Sequence, residues 1–342
     1  MNALQLAGPR LVLPTELEEP RPADGEVLVQ VEACGICGSD LGPYRDGKLS
    51  RAYFGHEFCG RVVAVGPGVE GLAPGTRVAS GLVAACGTCE ACRLGRPNFC
   101  EHAQSTMRPG GFAELCAVSW SRRCRALAVV PEGMDPAIAS LHEPVSCVLR
   151  IVERAGATRG GSVLVLGLGI MGFVSGLLLK SADPSVRLVG VDGNARRTSL
   201  AVEEGFDHVA SPREWRSQRS AAKPGGFDVV IDATGVAAAF SEAVAAARLG
   251  GTVVLAGVPE GETAFEPLPI FRKELTIVGA KGPYPVLAAD GTSEAMAFLR
   301  GGRLRWDRFV RRYAPGDAAE AFRDADAGLA LRSVIVFAEP HG

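Results

Sequence analysis

The chain has 342 residues, 47% of them hydrophobic, with 43 glycines and a formal net charge of −2. That length carries two domains of ordinary size, each with its own core, and the near-neutral balance excludes a field that would draw the whole chain onto nucleic acid or an anionic membrane. No stretch nears the roughly eighteen uninterrupted apolar residues of a membrane span, and Met1 to Pro14 lack the charged start, apolar run and small-residue cleavage site of a secretory signal, so a cytoplasmic protein is expected.

From Glu26 to Cys34, Val27, Val29 and Val31 alternate with Leu28, Gln30 and Glu32, the period of a strand. Gly35-Ile36-Cys37-Gly38-Ser39-Asp40 follows, where glycines allow a sharp turn that sets a thiol, a hydroxyl and a carboxylate close together. Each of these residues taken singly reads equally as part of an ordinary turn. Gly55-His56-Glu57 then places an imidazole beside a carboxylate, which in isolation is far more often a surface ion pair than half of a metal site. Val62, Val63 and Val65 before Gly66, and Gly75-Thr76-Arg77-Val78, continue a glycine-rich β pattern that suits a barrel-like antiparallel domain.

Four of the ten cysteines, Cys86, Cys89, Cys92 and Cys100, crowd into one short stretch. Thiolates at this spacing wrap one tetrahedral Zn²⁺ and leave no open position, the mark of a structural site. A nucleic-acid-binding ribbon is the rival reading, but Glu90 and Glu101 offset Arg93 and Arg96, and no aromatic platform interleaves. A lobe over about 84–102 that braces the domain is expected.

Gly110 to Glu114 leads another β segment, Pro131 to Ala139 reads as a loop entering a helix, and His142-Glu143-Pro144 opens a helix running to about Gly156. Glu143 at a helix start also complements the dipole. At Ser162 the character changes. Val163 to Leu166 is a continuous apolar strand that runs into Gly167-Leu168-Gly169-Ile170-Met171-Gly172 and an apolar helix through Leu179, and Asp192 ends a second strand, Arg187 to Val191. In this context the glycines have separate tasks: Gly167 makes the turn, Gly169 lets backbone N–H groups of the helix start reach a pyrophosphate, and Gly172 lets helix and sheet pack closely. Asp192, about twenty residues on, would take the ribose hydroxyls, favouring NAD, while Arg196 and Arg197 leave NADP open. A methyltransferase with the same ribose logic is the competing reading of this half.

Strands at Phe227 to Asp232, Gly251 to Val258 and Leu275 to Gly279, with a helix over Ala237 to Arg248, complete a βαβ series. Helices near Ser293 to Leu299 and Ala318 to Ala325 and a last strand, Ser333 to Phe337, suit a return to the first domain. The predicted division is 1–150 with 284–342 for the β-rich domain and 151–283 for the doubly wound one.

GICGSD at Gly35 to Asp40, GHEFCG at Gly55 to Gly60 with Gly66 and Val69 in register, the four-cysteine lobe, Glu143-Pro144, and GLGIMG with Asp192 occur in one order. Over essentially its whole length the chain thereby resembles the zinc-dependent medium-chain alcohol dehydrogenases, most of all the polyol (sorbitol), threonine and sugar dehydrogenase branch. The resemblance implies an α/β protein with a GroES-like β-rich catalytic domain and a Rossmann doubly wound parallel-sheet domain, two Zn²⁺ per chain, NAD or NADP, and a homodimer or homotetramer. It implies catalytic zinc held by Cys37, His56 and a carboxylate from Glu57 or Glu143, with Asp40 fixing the His56 tautomer and Ser39 taking the proton. Gly42 stands where many relatives have a histidine, and His142 is an uncommon neighbour of Glu143, read as a supporting or packing residue. Arg197 and Arg332 are expected to meet the cofactor, and Ser39, Tyr44, Phe112 and Arg272 to face the substrate. The partner expected is a hydroxylated small molecule, a polyol, sugar or aminocyclitol and its ketone. A threonine or amino-alcohol dehydrogenase, or a non-enzymatic member of the fold, is the alternative.

Overall fold

A computed structural model describes residues 1–47, 54–81, 85–86, 88–102, 107–108, 110–120, 126–156, 160–222, 225–259, 261–262, 264–282 and 293–337. The chain divides into two units, Met1–Ser146 with Pro283–Gly342, and Cys147–Gly282. The division falls inside a helix, a few residues before the position expected from sequence.

The first unit opens with an antiparallel pair, β1 (Asn2–Gly8) and β2 (Leu11–Glu16), absent from the elements expected from sequence. There follow β3 (Glu26–Gly35), α1 (Gly38–Asp46), β4 (Glu57–Val65), β5 (Arg77–Ser80), α2 (Glu90–Arg93), β6 (Met107–Arg108), β7 (Leu115–Ser119), β8 (Leu127–Val129), α3 (Pro136–Ala139) and α4 (His142–Ala155). β3 is the organising strand. One edge pairs with β4 along its length, while the other is shared, β7 taking Glu26 to Gln30 and a later strand taking Ala33 to Gly35. Val27, Val29, Val31 and Ala33 point into the core, and the alternation stops at Cys34 and Gly35, both buried, where the strand approaches the site.

The stretch expected to be only a turn is the start of a helix. Cys37 is the N-cap of α1 in extended backbone, and the Asp40 carboxylate reaches back to accept the Cys37 N–H at 2.9 Å. The helix ends on Gly47 at φ 63°, the left-handed conformation that glycine adopts without a Cβ penalty. Gly42 and Pro43 inside so short a helix hid it from any reading of propensity.

The second unit runs β9 (Ser162–Leu166), α5 (Ile170–Ala182), β10 (Arg187–Val191), α6 (Ala195–Glu203), β11 (His208–Ala210), α7 (Pro212–Ala222), β12 (Phe227–Asp232), α8 (Ala237–Ala246), β13 (Ala247–Leu255), α9 (Pro267–Lys273) and β14 (Thr276–Gly279). Its six strands are all parallel in the order β11-β10-β9-β12-β13-β14. β9 is buried at every position, as a strand covered on both faces must be. The direction of winding reverses between β9 and β12, and a ligand crevice opens at such a switch point, beyond the carboxyl ends of the strands.

The chain then returns to the first unit through α10 (Glu294–Arg300), β15 (Val310–Tyr313), α11 (Ala318–Asp326) and β16 (Arg332–Val336). β16 is the strand that takes the far end of β3, pairing Val334 with Gly35 and Ile335 with Cys34, and β15 adds in parallel beside it. The C-terminal piece thus completes the eight-stranded sheet begun by the N-terminal one.

Candidate metal centres and cofactor pocket

Pairing of Gly35 with Glu57 sets the end of β3 beside the start of β4, and this register assembles the first centre. Cys37 lies just past one strand and His56 just before the other. One ligand atom from each of Cys37, His56 and Glu57 lies within 4.8 Å of the others. Gly55 aims the histidine: its φ is 86°, and a Cβ there would meet the Phe112 ring at 2.5 Å.

Glu57 is fully buried, and neither carboxylate oxygen takes a hydrogen bond from the described residues. Its counter-charge is Arg332, whose Nε stands 3.3 Å from Oε2. A buried carboxylate without hydrogen bonds is costly unless a cation compensates it, and a thiol, an imidazole and a carboxylate that converge are a donor set suited to Zn²⁺ with a position left open. Burial disfavours an imidazolium at His56, yet the Cys37 sulfur, then Asp40 and Glu143, outweigh it and push the ring up to about 10. The same surroundings that hold a proton there would hold a divalent cation. Burial raises Asp40 to about 6 against the opposing pull of His56. Glu143, 4% exposed in the first turn of α4, acts by charge on both His56 and Arg332 but stands outside the close triad.

Asp40 bears on His56 through its charge, and the bond its carboxylate makes to the backbone is the one that caps α1. Ser39 is exposed, two residues from Cys37. His142 is buried, and desolvation pushes it down to about 4, leaving the ring neutral. Three expectations need correction. Tyr44 and Phe112 are core side chains, each 1% exposed, packed on Phe322 at ring separations of 5.4 and 5.6 Å. Aromatics next to glycine-rich turns read alike as pocket lining or core, and only the packing separates them. Arg332 is not a free cation for a pyrophosphate: it is 6% exposed, paired with Glu57, and donates from Nη1 to Ile36 O at 2.5 Å. Arg272 is exposed in the last turn of α9, in the second unit.

The second centre is local. Ligand atoms of Cys86, Cys89, Cys92 and Cys100 all lie within 4.8 Å of one another, with Cys89 at the N-cap of α2. Cys86 N–H points to Cys100 Sγ and Cys89 N–H to Cys86 Sγ, each at 3.2 Å. Hydrogen bonds from the Thr88 hydroxyl and N–H and the Cys89 N–H pull the Cys86 thiol down to about 5, toward the thiolate that metal requires.

In the second unit a cavity of about 470 Å³ is lined by Gly167, Gly169, Asp192, Arg197, Trp215 and Thr234 among others. Gly167 has φ 88°, and a Cβ on Gly172 would fall 2.1 Å from Gly167 O, so helix and loop approach as closely as expected. Gly169 is the N-cap of α5, and Ile170 and Met171 are its first residues, whose N–H groups have no partner within the helix. Asp192 accepts from Leu168 N–H and Asn194 N–H at 2.7 Å each, while Arg197 Nη1 lies 3.6 Å from its Oδ2. Trp215 and Thr234 were not anticipated. The signal for Thr234 was present, a small-residue turn, Ala233-Thr234-Gly235, after the strand beside the glycine motif.

Residues 23–129 match the alcohol dehydrogenase GroES-like domain and residues 171–299 the zinc-binding dehydrogenase domain. The chain is similar to the L-galactonate-5-dehydrogenase of Escherichia coli K12, 32% identical over 83% of this chain and 84% of the relative. Its fold is similar to a zinc-binding dehydrogenase of Sinorhizobium meliloti 1021 bound to NADP, at TM-score 0.84 and 29% identity over 98% and 99% of the two chains. An alcohol dehydrogenase of E. coli CFT073 complexed with NADH is similar at TM-score 0.84 and 27% identity, again over 98% and 99%.

Proposed function

The chain belongs to the zinc-dependent medium-chain alcohol dehydrogenases, and from that premise we propose that it transfers hydride between a secondary alcohol of polyol, sugar or aminocyclitol type and NAD(P), using Cys37, His56 and Glu57 as its zinc ligands. It is an oxidoreductase that uses Zn²⁺ and NAD(P). The observation that carries the site assignment is the close triad, with buried Glu57 oxygens that take no hydrogen bond from the described residues, in one chain with the glycine-motif cavity and Asp192.

Bound at the triad and in the cavity, Zn²⁺ supplies a Lewis acid for the substrate hydroxyl and NAD(P) supplies the hydride acceptor. The rest falls to the chain's own side chains. Cys37, His56 and Glu57 hold the ion, and Glu143 lends a second carboxylate nearby. Ser39, exposed and two residues from Cys37, takes the hydroxyl proton and passes it to water. The α5 N-terminus at Gly169 to Met171 receives the pyrophosphate, and Asp192 the ribose hydroxyls, with Arg197 beside it. Cys86, Cys89, Cys92 and Cys100 hold the structural zinc.

A cytoplasmic homodimer or homotetramer is part of the same reading. Thiolate sites need a reducing compartment, and the second unit exposes Val258 (85%) and Phe271 (80%) on the same domain as the edge strand β14, apolar surface of the kind subunits cover.

The test is a panel of polyols, sugars, aminocyclitols and amino alcohols with NAD and NADP, read by absorbance of the reduced nicotinamide. Turnover of a secondary alcohol is expected. Cys37→Ala should abolish it together with about one of two bound zinc ions. No turnover by zinc-loaded protein across the panel overturns the substrate class, and an undiminished rate in Cys37→Ala overturns the site.

A further inference from the structure

His142 sits next to Glu143 in the first turn of α4, 1% exposed, and both ring nitrogens have partners. Nδ1 is 2.8 Å from Ser80 O, and Nε2 is 2.5 Å from Ser293 Oγ. A backbone carbonyl can only accept, so Nδ1 carries the proton and Nε2 accepts from the Ser293 hydroxyl. Ser293 in turn caps α10, its Oγ accepting Met296 N–H at 3.0 Å. The tautomer is therefore set from both sides.

Ser80, at the end of β5, is the second node. Its hydroxyl donates to His56 O at 2.5 Å and accepts Phe58 N–H at 2.9 Å, bracketing Glu57 on the backbone. Its carbonyl is the one that His142 holds. One buried serine thus touches the chain on both sides of Glu57 and the ring beside Glu143. Any buried imidazole must satisfy both ring nitrogens; here the partners come from β5 and from the cap of α10, outside the helix that carries the ring. An apolar side chain in its place would strip the partners of Ser80 O and the Ser293 hydroxyl in a site closed to water, which is costly.

We propose that His142 is a positioning residue of the catalytic centre: through Ser80 and Ser293 it locks the start of α4, and with it Glu143, to the strand end that fixes His56 and Glu57. The inference rests on reading Cys37, His56, Glu57 and Glu143 as the zinc site. His142 itself touches neither metal nor substrate. Its task is to hold two carboxylates, carried by elements far apart in sequence, in one constant relation.

The test uses the full-length zinc protein and the variants His142→Leu, His142→Asn and Ser293→Ala. Leucine fills the volume without a donor, whereas the asparagine amide restores an N–H in the place of Nδ1. Zinc content, the rate of zinc loss to a chelator, and the visible spectrum after Co²⁺ exchange at the catalytic centre are read, with Cys37→Ala identifying which ion is lost. In His142→Leu the catalytic ion should bind about 10- to 100-fold more weakly, as for lost supports of metal ligands, with a shifted Co²⁺ spectrum and an unchanged lobe. His142→Asn should recover most of the affinity and the spectrum. Ser293→Ala, which removes the bond to Nε2 and the cap of α10 but leaves the bond from Nδ1 to Ser80 O, should move both readouts in the same direction by a smaller factor, and it serves should the leucine variant fail to fold. Wild-type zinc retention and spectrum in both His142→Leu and Ser293→Ala, or an asparagine variant no better than leucine, overturns the proposal. Wild-type protein that holds a single zinc, unaffected by Cys37→Ala, overturns the metal-site reading on which it rests.

Discussion

Arg332 and Glu57 meet as a buried ion pair, Nε to Oε2 at 3.3 Å, with side chains 6% and 0% exposed. The arginine comes from the start of β16 and the glutamate from the start of β4, and both strands flank β3. Arg332→Met should leave the Glu57 charge without its partner. Breaking one side of a buried pair costs about 3–5 kcal/mol, and that loss is expected in zinc-stripped protein by urea unfolding. With zinc bound the loss should shrink, because a cation at the triad neutralises the same carboxylate. An equal loss with and without zinc would mean that Glu57 does not face the metal.

Asp192 should set the cofactor preference. At the ribose its carboxylate would repel a 2′-phosphate, and it engages Arg197 at 3.6 Å. Asp192→Ser removes the repulsion and frees the guanidinium, so the ratio of kcat/KM for NADP over NAD should rise at least tenfold. The gain will come with weaker binding overall, since Leu168 N–H and Asn194 N–H lose their acceptor. A ratio that stays constant would remove Asp192 from the ribose site.

The four-cysteine lobe should be separable from catalysis in its metal content. Cys92→Ser is expected to lower the zinc count from about two to about one per chain and to reduce the thermal midpoint, while the Co²⁺ spectrum of the catalytic centre persists. Loss of both ions together would show that the two centres are not independent.

Asp228 should contribute to acid sensitivity. Burial opposes its ionisation, but Ser162 and Arg248 outweigh burial and hold the carboxyl down at about 2. A carboxylate depressed in the folded state stabilises fully above its unfolded value of about 3.9, and that stability is lost as pH falls through about 2. Urea midpoints of wild type should therefore drop between about pH 4 and pH 2 more steeply than those of Asp228→Asn. Parallel curves would exclude the contribution.

Much of the fold was legible because its signals are local. The apolar run before Gly167, the glycine spacing and the aspartate after the next strand each act within one βα turn, so a linear reading finds them. The helix at Gly38–Asp46 was not legible, since Gly42 and Pro43 suppress propensity and its start depends on Asp40 reaching back to Cys37. The pair β1 and β2 escaped for a different reason: Leu11 and Leu13 are exposed, which blurs the alternation.

The sequence by itself determined the donors: which thiols, imidazoles and carboxylates exist, the one-loop spacing that makes Cys86, Cys89, Cys92 and Cys100 a closed set, and the glycines that let a backbone approach a phosphate. The tertiary structure alone decided how distant donors and their supports combine. It brought Glu57 rather than Glu143 into the close triad, committed Arg332 to that carboxylate, sent Tyr44 and Phe112 into the core, and gave His142 the partners Ser80 and Ser293. The reason is physical. A local motif needs only short chain geometry, whereas the pairing of buried polar groups is settled by which strands and helices pack together once water has been removed.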